Sequence, residues 1–266
     1  MVPGTSSPAS EPPTVSIVLA TLNERENLPV VLPQILTQPL PPLEVLVADD
    51  GSTDGTREYI NALAARDGRI RPIYHDGKQT TLRAQSEAIG VARGSLVVVM
   101  DADQQHPPET LPSMVRALTE GSALVVASRY APGGSPGRRT LGRLLMSRGA
   151  EWIAKALLAP ARRVSDPVSG YFAFRREIWV PLDSRFRGYK LLLFVLVMAT
   201  GRPVSEVGFR FESRAGGASK VTEGWAFIRL FLKEVRWARR LAAERRTGRL
   251  SFPPAPSPAT AREPPK

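Results

Sequence analysis

Short apolar runs alternate with amphipathic stretches along the first half of the chain. The clearest run is Ser-Leu-Val-Val-Val-Met at 95–100. Runs of this length and composition predict buried strands, and the spacing of apolar residues between them predicts helices. The predicted strands are 15–20, 43–48, 70–74, 95–100 and 123–128, and the predicted helices are 24–36, 55–65, 81–92 and 108–119. This alternation indicates a doubly wound α/β fold with a mostly parallel sheet and helices on both faces.

The regular alternation ends after Ser128. The later predicted elements are helices over 141–158 and 189–199, and strands over 171–174 and 204–211. The last predicted helix, 224–246, is basic and amphipathic, with Ile228, Phe231, Leu232 and Val235 spaced for one face. Both ends of the chain are rich in proline and predict tails. The expected division is a tail over 1–13, one large domain over 14–223, a basic helix over 224–250 and a tail over 251–266.

The 266 residues include no cysteine and carry a net charge of +11. The lack of cysteine excludes disulfides, a thiolate zinc site and a thiol nucleophile. Two segments hold the positive charge: 129–163 has eight basic residues and one acid, and 225–249 has eight basic residues and two acids. Such concentration predicts an anionic partner, namely a phospholipid surface, a lipid phosphate or a nucleic acid, and a pair of solvated helix faces is the alternative.

No apolar run is long enough to span a bilayer. The longest, 191–200, falls far short of the roughly 20 residues that a spanning helix needs. The amino-terminal residues show no secretory signal. We therefore expect a cytoplasmic protein that does not cross a membrane by itself.

The first acidic cluster, Asp-Asp-Gly-Ser-Thr-Asp-Gly-Thr at 49–56, follows a predicted strand and opens a helix. Carboxylates at such strand ends bind the ribose or the base in nucleotide folds. Asp54 or Thr53 could instead only cap the helix, but a cap does not account for the adjacent Asp49 and Asp50. No Gly-x-Gly-x-x-Gly or Walker motif is present, which argues against dehydrogenases and P-loop ATPases.

The second acidic cluster, Asp-Ala-Asp-Gln-Gln-His-Pro-Pro-Glu at 101–109, leaves the end of the clearest strand. Asp101, Asp103 and the amide of Gln105 offer the oxygen ligands that Mg²⁺ or Mn²⁺ prefers, with diphosphate oxygens and water completing the octahedron. Two adjacent carboxylates repel each other unless a cation or a proton lies between them. A metal there would stabilise a departing diphosphate. His106 is expected to have a structural or supporting role.

The two acidic clusters lie about 50 residues apart at the ends of predicted strands, and several other motifs accompany them. These are Thr-Leu-Asn-Glu-Arg-Glu-Asn at 21–27, Ser-Arg-Tyr at 128–130, Ser-Arg-Gly-Ala at 147–150, Asp-Pro-Val-Ser-Gly-Tyr-Phe-Ala-Phe at 166–174, and Arg214 through Lys220. With these motifs the chain resembles the family 2 glycosyltransferases of GT-A fold, and among them the dolichol- or polyprenol-phosphate mannose synthases. The resemblance extends over about 14–220.

The resemblance implies a role for each matching position. The nucleotide-sugar donor would contact Ala20, Leu22, Glu24, Asp50, Asp101, Ala102 and Asp103. The metal would be held by Asp101, Asp103 and Gln105. The acceptor phosphate would be bound by Arg129, Arg143 and Ser147. Arg214 and Lys220 would contact the donor diphosphate or the acceptor from a loop, and the catalytic set would be Asp103, Arg129 and Arg214.

The resemblance also implies an inverting transfer of mannose from GDP-mannose to a dolichyl or polyprenyl phosphate at an anionic membrane surface. A phosphate nucleophile needs no strong base, so arginines that bring two anions together fit this chemistry. UDP-glucose is the rival donor. The helix at 224–246 would lie in the membrane interface or pack its apolar face on the domain.

One departure concerns a helix that follows Gly-Tyr-Lys at 188–190. Relatives often carry Gly-Phe-Lys and then a Glu in this helix, where this chain has Phe194. If that Glu helps to recognise the sugar or the acceptor, its replacement leaves the identity of the transferred sugar open. A non-catalytic adaptor that binds the donor or the membrane is a second hypothesis. A nucleic-acid-binding protein is a third, but it leaves the acidic clusters unexplained and lacks an RNP-type motif, so we expect no nucleic acid partner.

Overall fold

The computed structural model describes residues 14–75, 80–137, 141–182, 188–212 and 225–248. Within these ranges the chain forms one sheet and seven α-helices. The strands are β1 (Val15–Thr21), β2 (Leu43–Asp49), β3 (Ile70–Tyr74), β4 (Leu96–Asp101), β5 (Leu124–Ser128), β6 (Phe172–Arg175) and β7 (Val204–Gly208). The helices are α1 (Leu28–Leu36), α2 (Thr56–Ala64), α3 (Thr81–Gly90), α4 (Leu111–Thr119), α5 (Leu141–Leu157), α6 (Leu191–Met198) and α7 (Trp225–Arg246).

The sheet has the strand order β3-β2-β1-β4-β6-β5-β7. Every neighbouring pair is parallel except the two that β6 makes with β4 and β5. The prediction of a mostly parallel α/β sheet is therefore confirmed. The winding changes direction between β1 and β4, which is the kind of position where open α/β sheets bind their ligands.

Helices cover both faces of the sheet because the central strands are apolar on both sides. Val15, Ile17 and Leu19 of β1 pack on the face that α1 and α4 cover, whereas Val18 packs with α3 and α6 on the other. This division follows from the alternation of side chains along a strand. The two layers fix β1 in the middle of the molecule.

The last two helices pack against each other. All eight residues of α6 are buried, and α7 contributes buried apolar side chains to the same cluster, namely Phe231, Val235, Ala238 and Leu241. These four side chains pack as the packing alternative expects, whereas Ile228 at the start of the same predicted face is 36% exposed. The membrane-interface alternative for this helix stays a prediction. Among the described helices, none combines the length and the hydrophobicity of a membrane-spanning segment.

Several element boundaries differ from those predicted. The first helix begins at Leu28 instead of Glu24, because residues 23–27 form a turn whose polar groups bind the neighbouring loop. Pro29 lies in the first turn of this helix, where a missing N–H is tolerated. The last strand ends at Gly208 instead of Phe211.

Candidate active site at the carboxyl ends of the central strands

Two of the predicted acidic positions end strands that flank β1. In the sheet register, Asp49 of β2 lies opposite Thr21 and Asp101 of β4 lies opposite Ala20. Because the three strands are parallel, their carboxyl ends meet at one edge. The structure therefore brings both acidic clusters to the end of the strand that carries the predicted nucleotide residues.

Asp49 holds its own loop together. Its carboxylate accepts hydrogen bonds from the Ser52 N–H at 3.0 Å, from the Ser52 hydroxyl and from Arg57 Nε at 2.6 Å. Burial raises the pKa of Asp49, but these hydrogen bonds outweigh burial and lower it below the ordinary value. Asp50 follows at the edge of the sheet, where it is buried and its N–H donates to the Thr21 carbonyl at 2.9 Å.

Asp54 binds the first residue of α2 but is not its N-cap, which is Gly55. Its carboxylate accepts hydrogen bonds from the Thr56 N–H and hydroxyl at the start of α2 and from the Arg25 N–H at 3.1 Å. Gly51 and Gly55 have φ values of 89° and 87°, so the tight turn uses the freedom of glycine. Asp54 is therefore structural.

A chain of polar contacts connects the β1 loop to the second acidic cluster. Asn27 Nδ2 donates to Glu24 Oε2 at 2.6 Å, and Gln104 Nε2 donates to Asn27 Oδ1 at 2.9 Å. Gln104 has a φ of 64°, uncommon for a residue with a side chain and often found at functional sites. Asn27 and Gln104 are absent from the predicted site, although both lie inside motifs that the sequence displays.

Asp101 and Asp103 stand on either side of the buried Ala102. The Asp101 side chain is 44% exposed, and Asp103 Oδ1 accepts the Gln105 N–H at 3.2 Å. Gln105 Nε2 donates to the Glu212 carbonyl at 3.4 Å. In the described chain, no three Asp, Glu or His side chains lie close enough to hold a metal ion on their own. The residues fit a divalent ion that takes its remaining oxygens from a diphosphate and water.

His106 is hydrogen-bonded to the backbone of Asp101. Its Nδ1 accepts the Asp101 N–H at 2.9 Å, and its ring stacks on Tyr171 with centroids 4.9 Å apart. Burial lowers the pKa of His106, and Asp101 only partly offsets this. The ring is thus neutral with its proton on Nε2, and Nδ1 is unavailable to a metal. The expected structural role of His106 agrees with these contacts.

Gly170 lies directly against the acidic turn. A Cβ at this position would be 3.1 Å from Asp101 Oδ2 and 3.2 Å from His106 Cε1. Any side chain at 170 would press on the carboxylate that the sequence assigns to the metal. Gly170 is missing from the predicted set, although the Asp-Pro-Val-Ser-Gly-Tyr-Phe motif contains it.

Arg129 and Ser147 meet at one buried carboxylate. Ser147 Oγ donates to Glu151 Oε1 at 3.3 Å, and Arg129 Nη2 lies 3.9 Å from the same oxygen. The main partner of Arg129 is Asp166, which it binds at 2.6 and 2.7 Å. Burial opposes the charge of Arg129, but Asp166 outweighs it and raises the guanidinium pKa.

Three predicted residues cannot be placed. Arg214 and Lys220 lie outside the described residues, and Arg143 belongs to α5 but its side chain is also outside them. Their assigned roles stay predictions.

Lys190 is a cation of the site that the sequence-based set omits. Its Nζ donates to the Val168 carbonyl at 3.1 Å, inside the segment that carries Asp166 and Gly170. Burial lowers the pKa of Lys190. Phe194, which occupies the position of the expected Glu, is fully buried in the core.

Comparisons with known proteins place this geometry in a family. The sequence model described as Glycosyl transferase family 2 matches residues 16–179. A dolichol-phosphate mannosyltransferase from Pyrococcus furiosus is 36% identical over 209 residues, which cover 78% of this chain and 59% of that protein. A polyprenol monophosphomannose synthase from Mycolicibacterium smegmatis is 32% identical over 252 residues, covering 91% of this chain and 94% of that protein. The chain thus spans less than two thirds of the Pyrococcus relative and nearly all of the mycobacterial one.

Solved structures share the fold. Glucosyl-3-phosphoglycerate synthase from Mycobacterium tuberculosis in complex with phosphoglyceric acid has a TM-score of 0.64 and 22% identity, over 87% of this chain and 80% of that one. The same synthase with Mn²⁺ and UDP-glucose has a TM-score of 0.62 and 23% identity, over 89% and 79% of the two chains. At this level of identity the likeness shows the fold alone. Taken with the family match, it shows that this chain belongs to the family 2 glycosyltransferases and has their GT-A fold.

Proposed function

We propose that this protein transfers mannose from GDP-mannose to a dolichyl or polyprenyl phosphate, with inversion at the sugar. The observation that carries the proposal is that an acidic turn and a segment that binds a buried arginine lie side by side at the carboxyl edge of the sheet. The acidic turn of Asp101 and Asp103 suits a metal–diphosphate, and Gly170 connects it to the segment that binds Arg129. Relatives at 36% and 32% identity are named dolichol-phosphate mannosyltransferase and polyprenol monophosphomannose synthase.

Mg²⁺ or Mn²⁺ is the proposed cofactor. Asp101 and Asp103 would hold it, with Gln105 as a further oxygen donor, and the bound ion would neutralise the diphosphate as it leaves. The related synthase in complex with Mn²⁺ and UDP-glucose supports a divalent ion in this fold. Nδ1 of His106 is occupied by the Asp101 N–H, so the ring orients the motif and does not replace a carboxylate.

Two separate sets of residues would bind the two substrates. Asp50 and Glu24, with the β1 end at Ala20 and Leu22, would bind the nucleotide. Arg129 and Ser147 would bind the acceptor phosphate together with Arg143. Because the acceptor is already an anion, these groups need only orient it behind the sugar C1 for in-line attack. An α-linked product, identified by NMR, would contradict the inverting geometry.

The outer face of α5 suits a membrane surface. Leu145 and Trp152 are 63% and 73% exposed, and the Arg148 side chain between them is 58% exposed. Ser147 and Glu151 lie on the inner side of the same helix beside Arg129. Exposed apolar and basic side chains together favour binding to anionic lipid. We therefore propose peripheral association through α5, which would bring the lipid phosphate to the inner face.

A donor screen tests the function. The protein is incubated with GDP-mannose, UDP-glucose or other nucleotide sugars, a short polyprenyl phosphate and Mg²⁺ or Mn²⁺, and the release of nucleotide diphosphate is measured. Mannosyl transfer from GDP-mannose is the expected result, and transfer only from UDP-glucose would overturn the assignment of the sugar. Donor binding without release from any donor would favour the adaptor.

Two variants test whether sugar transfer depends on the acidic turn. Asp103→Ala should abolish transfer while the thermal unfolding midpoint stays close to that of the wild type. The matched control is Asp67→Ala, which removes a carboxylate whose partner is Arg69 on the surface. Substantial activity in the Asp103 variant would count against the metal assignment.

A further inference from the structure

A buried carboxylate from α7 lies at the start of α6. Glu234 is 1% exposed and accepts a hydrogen bond from the Tyr189 N–H. Residue 188 must be a glycine here, because a Cβ on Gly188 would collide with the Glu234 carboxylate. Burying a carboxylate is unfavourable unless hydrogen bonds or a cation compensate for it. The groups that contact Glu234 therefore indicate which part of the protein its carboxylate stabilises.

Lys190 is the next residue of this turn, and its N–H also donates a hydrogen bond to the Glu234 carboxylate. Lys190 Nζ donates to the Val168 carbonyl at 3.1 Å. The charged groups that act on Lys190 electrostatically are Arg129, Glu234, Asp101 and Asp166. The ammonium is thus anchored to the segment that carries Asp166 and Gly170, while Glu234 holds the backbone of the turn that carries the lysine.

We propose that Glu234 is a positioning residue that acts through Lys190: its carboxylate fixes the turn at 188–190 and holds the lysine ammonium where the donor diphosphate meets the acceptor phosphate. An ammonium suits that place because it is a compact charge with three donors that can follow moving phosphate oxygens. The identity of the two anions rests on the proposed function, whereas the contacts of Glu234 do not. By this inference α7 contributes a positioning residue to the site in addition to packing on α6.

A double-mutant cycle tests the proposal. Glu234→Gln keeps an acceptor oxygen for the Tyr189 N–H but removes the charge, and Lys190→Met removes the ammonium. At a pH above 7 we expect kcat/KM to fall about tenfold in E234Q and about 100-fold in K190M, as for the loss of charge-assisted hydrogen bonds. If Glu234 acts through Lys190, the double variant should match K190M to within about twofold. The control is E244Q, at an exposed position of the same helix, which should behave like the wild type.

Effects of the two substitutions that add in full, or an E234Q protein as active as the wild type, would overturn the proposal. A merely structural role predicts such additivity, because a loosened fold lowers activity whether or not residue 190 is a lysine.

Amide hydrogen exchange gives a readout that needs no turnover. In E234A, the peptide that contains Tyr189 and Lys190 should exchange faster than in the wild type, and E244A should not show this change. Unchanged exchange in a folded E234A protein would also overturn the proposal, and if E234A does not fold the kinetic cycle decides. A wild-type protein that transfers no sugar would contradict the proposed function, and the exchange result would then decide the role of Glu234.

Discussion

Arg129 and Asp166 form a bidentate ion pair, with Nε and Nη2 of the arginine 2.6 and 2.7 Å from the two carboxylate oxygens. Both side chains are almost completely buried. The pair joins the end of β5 to the loop before β6, so one interaction fixes two segments of the proposed acceptor site. If Arg129 binds a phosphate as proposed, it is already oriented for that contact, which would lower the entropic cost of binding.

Asp166→Asn should destabilise the fold. Removing one partner of a buried ion pair typically costs about 3–5 kcal/mol, and Glu151, at 3.9 Å from Arg129, compensates only in part. We expect the free energy of unfolding, measured by urea titration, to fall by about 3 kcal/mol. Asp67→Asn, which breaks an exposed pair with Arg69, should lose less than about 1 kcal/mol. Equal losses in the two variants would contradict this account.

Gly170→Ala should weaken metal binding while the protein stays folded. The added Cβ would press on Asp101 Oδ2 and on the buried His106, so the carboxylate has to move. Disturbing the surroundings of a metal ligand typically costs 10–100-fold in affinity, and we expect about tenfold for Mn²⁺ with nucleotide, measured by calorimetry. Gly149→Ala is the control, because nothing lies within 4 Å of a Cβ built there. Unchanged affinity in the Gly170 variant would show that the acidic turn tolerates this contact.

Asp49 should make stability depend on acid pH. Burial raises its pKa, but hydrogen bonds from Ser52 and Arg57 lower it below the ordinary value of 3.8. A carboxylate with a lowered pKa in the folded state stabilises the protein above pH 3.8, and this contribution disappears as the pH falls through the folded-state pKa. The difference in free energy of unfolding between the wild type and Asp49→Asn should therefore shrink from about pH 6 to about pH 3. Urea titrations at several pH values measure it, and a constant difference would refute the prediction.

Trp152→Ser should reduce binding to vesicles that contain anionic lipid. Transferring a large apolar side chain out of water contributes about 1.5–3 kcal/mol, so its loss should weaken vesicle binding by about tenfold or more in sedimentation assays. The control is Val30→Ser on α1, because Val30 is also partly exposed but lies on another helix. If both variants bind vesicles as the wild type does, α5 is not the membrane contact.

The sequence predicts the local elements well because its strands are apolar on both faces. The continuous run at 95–100 identifies β4, and the acids that follow it mark the ligand edge. The same reasoning could not foresee the direction of β6, because four residues carry no signal for parallel or antiparallel pairing.

Contacts between residues far apart in the chain could not be predicted from the sequence either. Asp166 binds an arginine 37 positions away, and Glu234 binds a turn 45 positions away. A weak signal did exist for Glu234: it lies among Phe231, Val235 and Ala238 on the apolar stripe of a basic helix. An acid on such a stripe needs a buried partner, and only the folded chain shows that the partner is the Gly188–Lys190 turn.

The reversed direction of β6 has a consequence for recombining such enzymes. Because β6 runs against β4 and β5, the chain leaves the substrate edge after Ser128 and returns to that edge before Phe172. Both ends of the intervening stretch therefore lie side by side, joined by the hydrogen bond from the Ala127 N–H to the Tyr171 carbonyl at 3.0 Å. The segment 129–171 therefore has adjacent junctions. Exchanging it between relatives would transfer Arg129 and Ser147 of the proposed acceptor site without changing the order of the strands.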